Sequence, residues 1–186
     1  GFFVARAGLG ASESMRSKLA EYNDPRLSRA FITKQGTSGK EQAPGTADNA
    51  VYAPNGTPEQ GTSKYGTSLF MYSISAPTLL LSYHELKFLE AEALCRLERD
   101  AKSALKDAVV AGLLNAANSF TISRKELGKT LINAASSITE AEAESYFDNT
   151  IEAKYPAEPL KTTMTQKYFA LWGASGEATE SYNDVR

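Results

Sequence analysis

The sequence predicts a mainly α-helical fold built of tetratricopeptide-like helical hairpins, with one long irregular loop region. Three observations predict it. Helix-start signals of the S/T-x-x-E/Q type recur after residue 80: Ser82 with Glu85, Ser123 with Glu126, Thr139 with Glu142, and Thr163 with Gln166. In such a pair the hydroxyl accepts from a free amide at the helix start. Apolar residues after these signals recur at three- and four-residue spacing, the helical period. Between Thr33 and Ser68, by contrast, six glycines, three prolines and many Ser/Thr remove any period.

Taken in order, residues 12–31 read as a short helix, a turn at Asn23-Asp24-Pro25, and a further helical turn with Pro25 at a favoured first position. The irregular stretch from Thr33 to Ser68 follows, of a length that in compact domains is often functional. Leu69 to Leu81, broken by Pro77, reads as a short extended segment. Ser82 then opens a helix from about Glu85 to Leu97. Its face is set by Leu86, Leu89, Ala93 and Leu97, widened by Phe88, Ala91 and Cys95. On that reading Leu89→Ala should cost about 2 to 5 kcal/mol. Asp100 is placed to cap a second helix, Ala101 to Asn118, with apolar positions at Leu105, Val109, Gly112, Leu113 and Ala116 or Ala117. Glycine in a helix costs roughly 1 kcal/mol against alanine, so Gly112 implies close packing. The pair matches one tetratricopeptide-like unit of roughly 34 residues, which cannot bury both faces alone. Further helices are expected over Lys125–Ala135, over Glu140–Thr150, from Thr163 to Trp172, and from Glu177 to Arg186.

The composition narrows the chemistry. The 186 residues are 42% hydrophobic and 23% charged, which suits one domain with a sizeable core. A net charge of -2 gives no electrostatic case for nucleic acid. No run approaches the roughly 18 to 20 apolar residues needed to span a bilayer, and no Lys/Arg run marks a membrane surface. The single cysteine, Cys95, excludes an internal disulfide and reads as a small core residue. With one histidine, His84, it cannot form a zinc site of His/Cys ligands. His84, in the first turn of its helix, is expected to be exposed or to cap. No calcium loop, nucleophile elbow, dinucleotide fingerprint or P-loop occurs, so no metal or cofactor is expected.

Paired carboxylates have simpler readings than a catalytic pair, which needs one acid of raised pKa beside an ionised partner. Glu85 and Glu142 fall in capping positions, and Glu140 with Glu144 forms a solvated i,i+4 face. Glu92, between Ala91 and Ala93, is expected to be partly buried and to need a donor. The chain is therefore not expected to be an enzyme. Its aromatics remain: nine Tyr, eight Phe and one Trp. Tyr146, Phe147, Tyr168, Phe169 and Trp172 have the spacing of helix packing. Aromatic faces also stack on sugar rings, and Tyr52 and Tyr65, with Asn49 and Asn55 in the same loop, are the candidate ligand contacts.

Three motifs in order carry a family resemblance: SYHELKFLEAEA (Ser82 to Ala93), TQKYFAL (Thr165 to Leu171) and ESYNDVR (Glu180 to Arg186). With Asp24-Pro25-Arg26-Leu27 and ITEAEAESYFDN (Ile138 to Asn149) more loosely, they resemble the C-terminal portion of the SusD/RagB family, nutrient-binding lipoproteins of the outer membrane in Bacteroidetes. RKELGKTLINAASS (Arg124 to Ser137) departs from the pattern. The resemblance implies a fragment of a single SusD-like domain, loop-rich over 1–81 and helical over 82–186. Family members run to several hundred residues, so residues at both ends and a lipid anchor would lie outside it; Gly1-Phe2-Phe3-Val4 is expected to be an interior strand or loop, not a signal peptide. It implies capture of an oligosaccharide, or a peptide, at the cell surface and delivery to a SusC-like TonB-dependent transporter. No binding residue transfers by motif. The alternative reading is an intracellular helical-repeat scaffold for protein–protein interaction, which would carry further repeats of the same length.

Overall fold

The computed structural model describes residues 11–35, 40–42, 52–56, 65, 67–68, 79–127, 136–173 and 184. The chain divides into two compact units, one of residues 1–76 and 119–137, the other of 77–118 and 138–186. The first therefore draws on both sides of the expected division at 81/82.

In the first unit, helix α1 (Glu13–Glu21) starts at Ser12, whose hydroxyl accepts from the Met15 amide at 3.4 Å. Met15 and Leu19 are its buried residues. It ends as Asn23 enters the left-handed region at φ 51°, which the short polar side chain tolerates. The expected turn follows, and after it the chain makes consecutive turns, with Leu27 donating to Asp24 O at 3.0 Å and Ala30 to Arg26 O at 2.8 Å in a single helical turn. Asp24 closes them. Its carboxylate accepts from the Arg26 amide at 2.9 Å and from the same guanidinium at 2.8 and 2.6 Å, and both side chains are buried. Arg29 donates to the Pro25 and Ser136 carbonyls at 2.8 and 2.6 Å.

Three short strands then correct the reading of Thr33 to Ser68 as wholly irregular. β1 (Phe31–Gln35) lies between β2 (Lys40–Gln42) and β3 (Thr67–Ser68), antiparallel to both, with Thr33 opposite Gln42 and Phe31 opposite Ser68. Phe31, Ile32 and Thr33 are good strand formers, but two to five residues are too few to show a period. A parallel bridge also joins Ser12 to Ala53, with Ala53 donating to Ala11 O at 2.8 Å and Glu13 to Ala53 O at 3.0 Å. The segment expected to be extended, Leu69 to Leu81, lies mostly outside the described residues, as do the helix expected from Glu177 to Arg186 and residues 128–135.

The second unit is helical: α2 (Tyr83–Arg96), most of α3 (Lys102–Leu127), α4 (Glu140–Tyr146), a π-helical turn (Phe147–Ile151), α5 (Glu152–Lys154) and α6 (Pro159–Leu171). Two of the four hydroxyl caps form as expected, Ser82 accepting from the Glu85 amide at 3.1 Å and Thr139 from the Glu142 amide at 3.2 Å. The other two do not. Ser123 is buried inside α3, which continues past Asn118 because no Gly or Pro stops it. Thr163 sits inside α6, already begun at Pro159. Asp100 does accept from the Lys102 amide, at 3.0 Å. The expected helix over Glu140–Thr150 runs on as one rod through the π turn, where the Glu152 amide reaches Phe147 O and buries Phe147 and Ile151.

The largest correction concerns α2. Its buried residues are His84, Glu85, Phe88 and Ala91, while Leu86, Leu89 and Leu97 are 52%, 43% and 67% exposed. His84, expected at the surface or in a cap, is a core residue. The inward face is chosen by what it meets. At Gly112 of α3 a β-carbon would lie 3.0 Å from Ala170 Cβ of α6 and 3.9 Å from the Phe88 ring. The missing side chain thus lets three helices close on one point, as the glycine implied. Cys95 is half-buried, its sulfur 3.6 Å from the Thr163 hydroxyl. Tyr146, Phe147 and Phe169 are core residues as expected, whereas Tyr168 is 42% exposed.

Candidate functional site

The structure brings three of the sequence motifs together. Lys167, from TQKYFAL, is buried within α6, with its ammonium 3.1 Å from Glu92 of SYHELKFLEAEA and 2.7 Å from Asp184 of ESYNDVR. Glu92 is also held by Arg96, at 2.8 Å, which supplies the donors its position required. Burial pushes the Glu92 carboxyl up, but Lys167 and Arg96 outweigh it and hold the group below the ordinary carboxylate value. For Lys167, burial pushes the ammonium down, and Asp184 and Glu92 outweigh it, leaving the pKa raised. A carboxylate held ionised in this way is unsuited to act as a general acid near neutral pH. It is an internal cross-link. Next to it Gln166 is buried and accepts from the Tyr146 hydroxyl at 3.3 Å. With Asp24–Arg26, these contacts show what the recognisable motifs do: they hold segments in place. Lys167 was missed as a core residue. The available signal was its position beside Thr163, Gln166 and Ala170, a buried stripe at helical spacing.

The candidate ligand contacts lie in the first unit. Tyr52 is half-buried. Phe31 meets its ring edge-on at 5.3 Å between centroids and 83° between planes, and the Arg16 guanidinium lies 5.5 Å from the ring centre. Burial raises the Tyr52 pKa, against the opposing pull of Arg16. The ring is thus held by a strand and a helix rather than carried on a free loop. Asn55 is exposed and accepts from the Ser12 hydroxyl at 3.2 Å, at a turn where Gly56 has φ 76° and open space about it. Tyr52 and Asn55 therefore flank the Ala53 bridge to the start of α1. Tyr65 is buried, with 5% exposure, so its ring is core in this unit. Asn49 lies outside the described residues. Phe31 and Arg16 are the members of this cluster that the sequence did not point to; neither carries a local signal, because each reaches Tyr52 only through the fold. Among the described residues no group of three or more His, Cys, Asp or Glu is placed to hold a metal ion, and no helix is long and apolar enough to cross a membrane.

The family described as starch-binding and associating with the outer membrane matches residues 3–182. The chain belongs to this SusD-like family. A crystal structure of a SusD/RagB family protein from Bacteroides thetaiotaomicron is 57% identical and superposes with a TM-score of 0.90. The SusD-like chain is covered completely by that structure and spans 39% of its length. A search of curated proteins gave no match. The mainly helical architecture expected from the sequence is that of this family, and the three motifs that suggested it are the ones joined at Lys167.

Proposed function

We propose that this SusD-like chain belongs to a surface-exposed, lipid-anchored outer-membrane protein. It would capture an oligosaccharide, or a peptide, and deliver it to a SusC-like TonB-dependent transporter. The observation that carries this reading is the match over residues 3–182 to a family described as starch-binding at the outer membrane. Two features of the structure support it. Tyr52 and Asn55, on either side of the Ala53 bridge, offer a half-buried aromatic ring and an exposed amide, groups that engage the C–H face and the hydroxyls of a sugar. The partly buried carboxylate of the motif network, Glu92, is committed to Lys167 and Arg96, which favours binding over hydrolysis.

The test is a glycan and peptide array with the full-length protein, run beside Tyr52→Ala and with product analysis. Retention of one glycan class without cleavage, weakened about threefold to tenfold by Tyr52→Ala, is the expected result. Cleavage of the bound chain, or no binding to any glycan or peptide, would sink the reading. Affinity purification from detergent-solubilised outer membrane should recover a TonB-dependent transporter; its absence would remove that partner from the proposal.

A further inference from the structure

The second unit carries a groove that the Tyr52 surface does not involve. It has a volume of about 690 Å³ and is lined from the start of α2, the middle of α3 and the start of α4. That size is within the roughly 300 to 1,000 Å³ of small-molecule sites. Helix α3 contributes Val110, Ala111 and Leu114, an apolar strip at helical spacing. Tyr83 lines the same space and is 61% exposed at the edge of an apolar surface, with the Lys87 ammonium 6.0 Å from its ring centre. Ser82 and Asn115 add a hydroxyl and an amide. This is the chemistry a sugar ring asks for: an apolar and aromatic surface for its C–H face, with donors and acceptors for its hydroxyls.

The charges narrow the class. Asp107, Glu140 and Glu144 line the groove against one lysine, Lys106. Lys106 is already engaged by Asp148 at 2.7 Å and lies 5.8 Å from the Phe147 ring centre. Asp107 meets Lys87 at 3.4 Å, and Glu140 and Glu144 make no ion pair among the described residues. A carboxylated or sulfated glycan would meet net repulsion here, whereas carboxylates accept readily from neutral hydroxyls. We infer that this groove is a binding site for a neutral oligosaccharide, separate in the sequence from the Tyr52 cluster. The inference rests on the glycan-capture reading and adds to it a place and a charge preference.

The experiment uses full-length protein and isothermal titration with neutral maltoheptaose, cellohexaose and mannohexaose beside anionic oligogalacturonate and heparin hexasaccharide. Two variants accompany it, Tyr83→Ala and Ala111→Trp, each checked for an unchanged urea midpoint. Tyr83 is exposed and outside the Ser82–Glu85 cap contact, so its loss spares the helix start. The expected result is binding of a neutral chain, weakened about threefold to tenfold by Tyr83→Ala and more than tenfold by the bulk of Ala111→Trp. Neutral binding unchanged in both folded variants would overturn the groove while leaving glycan capture standing. Tighter binding of the anionic chains would overturn the charge assignment. Binding of no oligosaccharide by the unaltered protein would remove glycan capture and the groove together.

Discussion

The two faces of α2 differ in a way that composition does not foretell. The outward face carries Leu86, Leu89 and Leu97, the more apolar set, and stands exposed; the inward face carries His84, Glu85, Phe88 and Ala91 and is buried. Glu92, on the edge of the inward face, reaches Lys167 of α6. Burial thus follows the partner surface rather than the count of leucines. Phe88 fits beside Gly112 and Ala170, and a polar group goes inside where another element brings its counter-charge.

The sharpest way to break this comparison is Phe88→Ala. The ring is fully buried where three helices meet, so its removal should cost about 3 to 5 kcal/mol in urea unfolding. A cost below about 1 kcal/mol would mean that the inward face is not the core.

Lys167→Ala comes next. Removing one member of a buried ion pair leaves the others uncompensated, typically at about 3 to 5 kcal/mol. Here the lower end is expected, because the Glu92 and Asp184 side chains remain 14% and 19% exposed and can regain some water. The same network sets a pH dependence. The Glu92 pKa is lowered by folding, so its contribution is complete above the unfolded value of 4.5 and is lost as the pH falls through the folded value below it. The Lys167 pKa is raised, so its contribution is complete below 10.5 and is lost at higher pH. Stability measured against pH should therefore fall at both limits, and Glu92→Gln should flatten the acid limb. An unchanged acid limb would show that Glu92 is not engaged.

These cases also show which parts of the molecule can be read from sequence. The Ser82 and Thr139 caps were legible because hydroxyl and amide lie three residues apart. Ser123 and Thr163 have the same local pattern, yet each sits in a helix already under way, and a pattern of four residues does not report whether the preceding turn is helical. The strands were hidden because β1 and β3 are five and two residues long in a partnership across the loop, and pairing of that kind leaves no local trace. The face of α2 depends on α6, and the environment of Tyr52 on Arg16 and Phe31. Tyr52 and Asn55 were visible as residue types, but the contact of Asn55 with Ser12 spans 43 positions. Gly112 was legible for a different reason: a helical glycine bears a cost that close approach explains.

Gly112→Ala tests that close approach with a smaller effect. Helix propensity favours alanine by roughly 1 kcal/mol, while overpacking costs about 1 to 3 kcal/mol. The new methyl would lie 3.0 Å from Ala170 Cβ, which is fixed to the backbone of α6 and cannot swing aside. A net loss of about 1 kcal/mol is expected; a gain in the urea midpoint would show that α6 shifts freely.

The smallest effect is the most discriminating. Leu89 is 43% exposed, so Leu89→Ala forfeits only part of the burial of a leucine and should cost less than about 1 kcal/mol in this chain. The sequence pattern alone had required several times more. The same substitution in the full-length protein sharpens the comparison. If it again costs less than about 1 kcal/mol, the leucine face is a true surface and the two faces of α2 differ in kind. If it costs as much as Phe88→Ala, the face is covered there by a surface outside the described residues. The leucine spacing would then have marked a second core face, and the two sides of α2 would differ only in which part of the protein covers them.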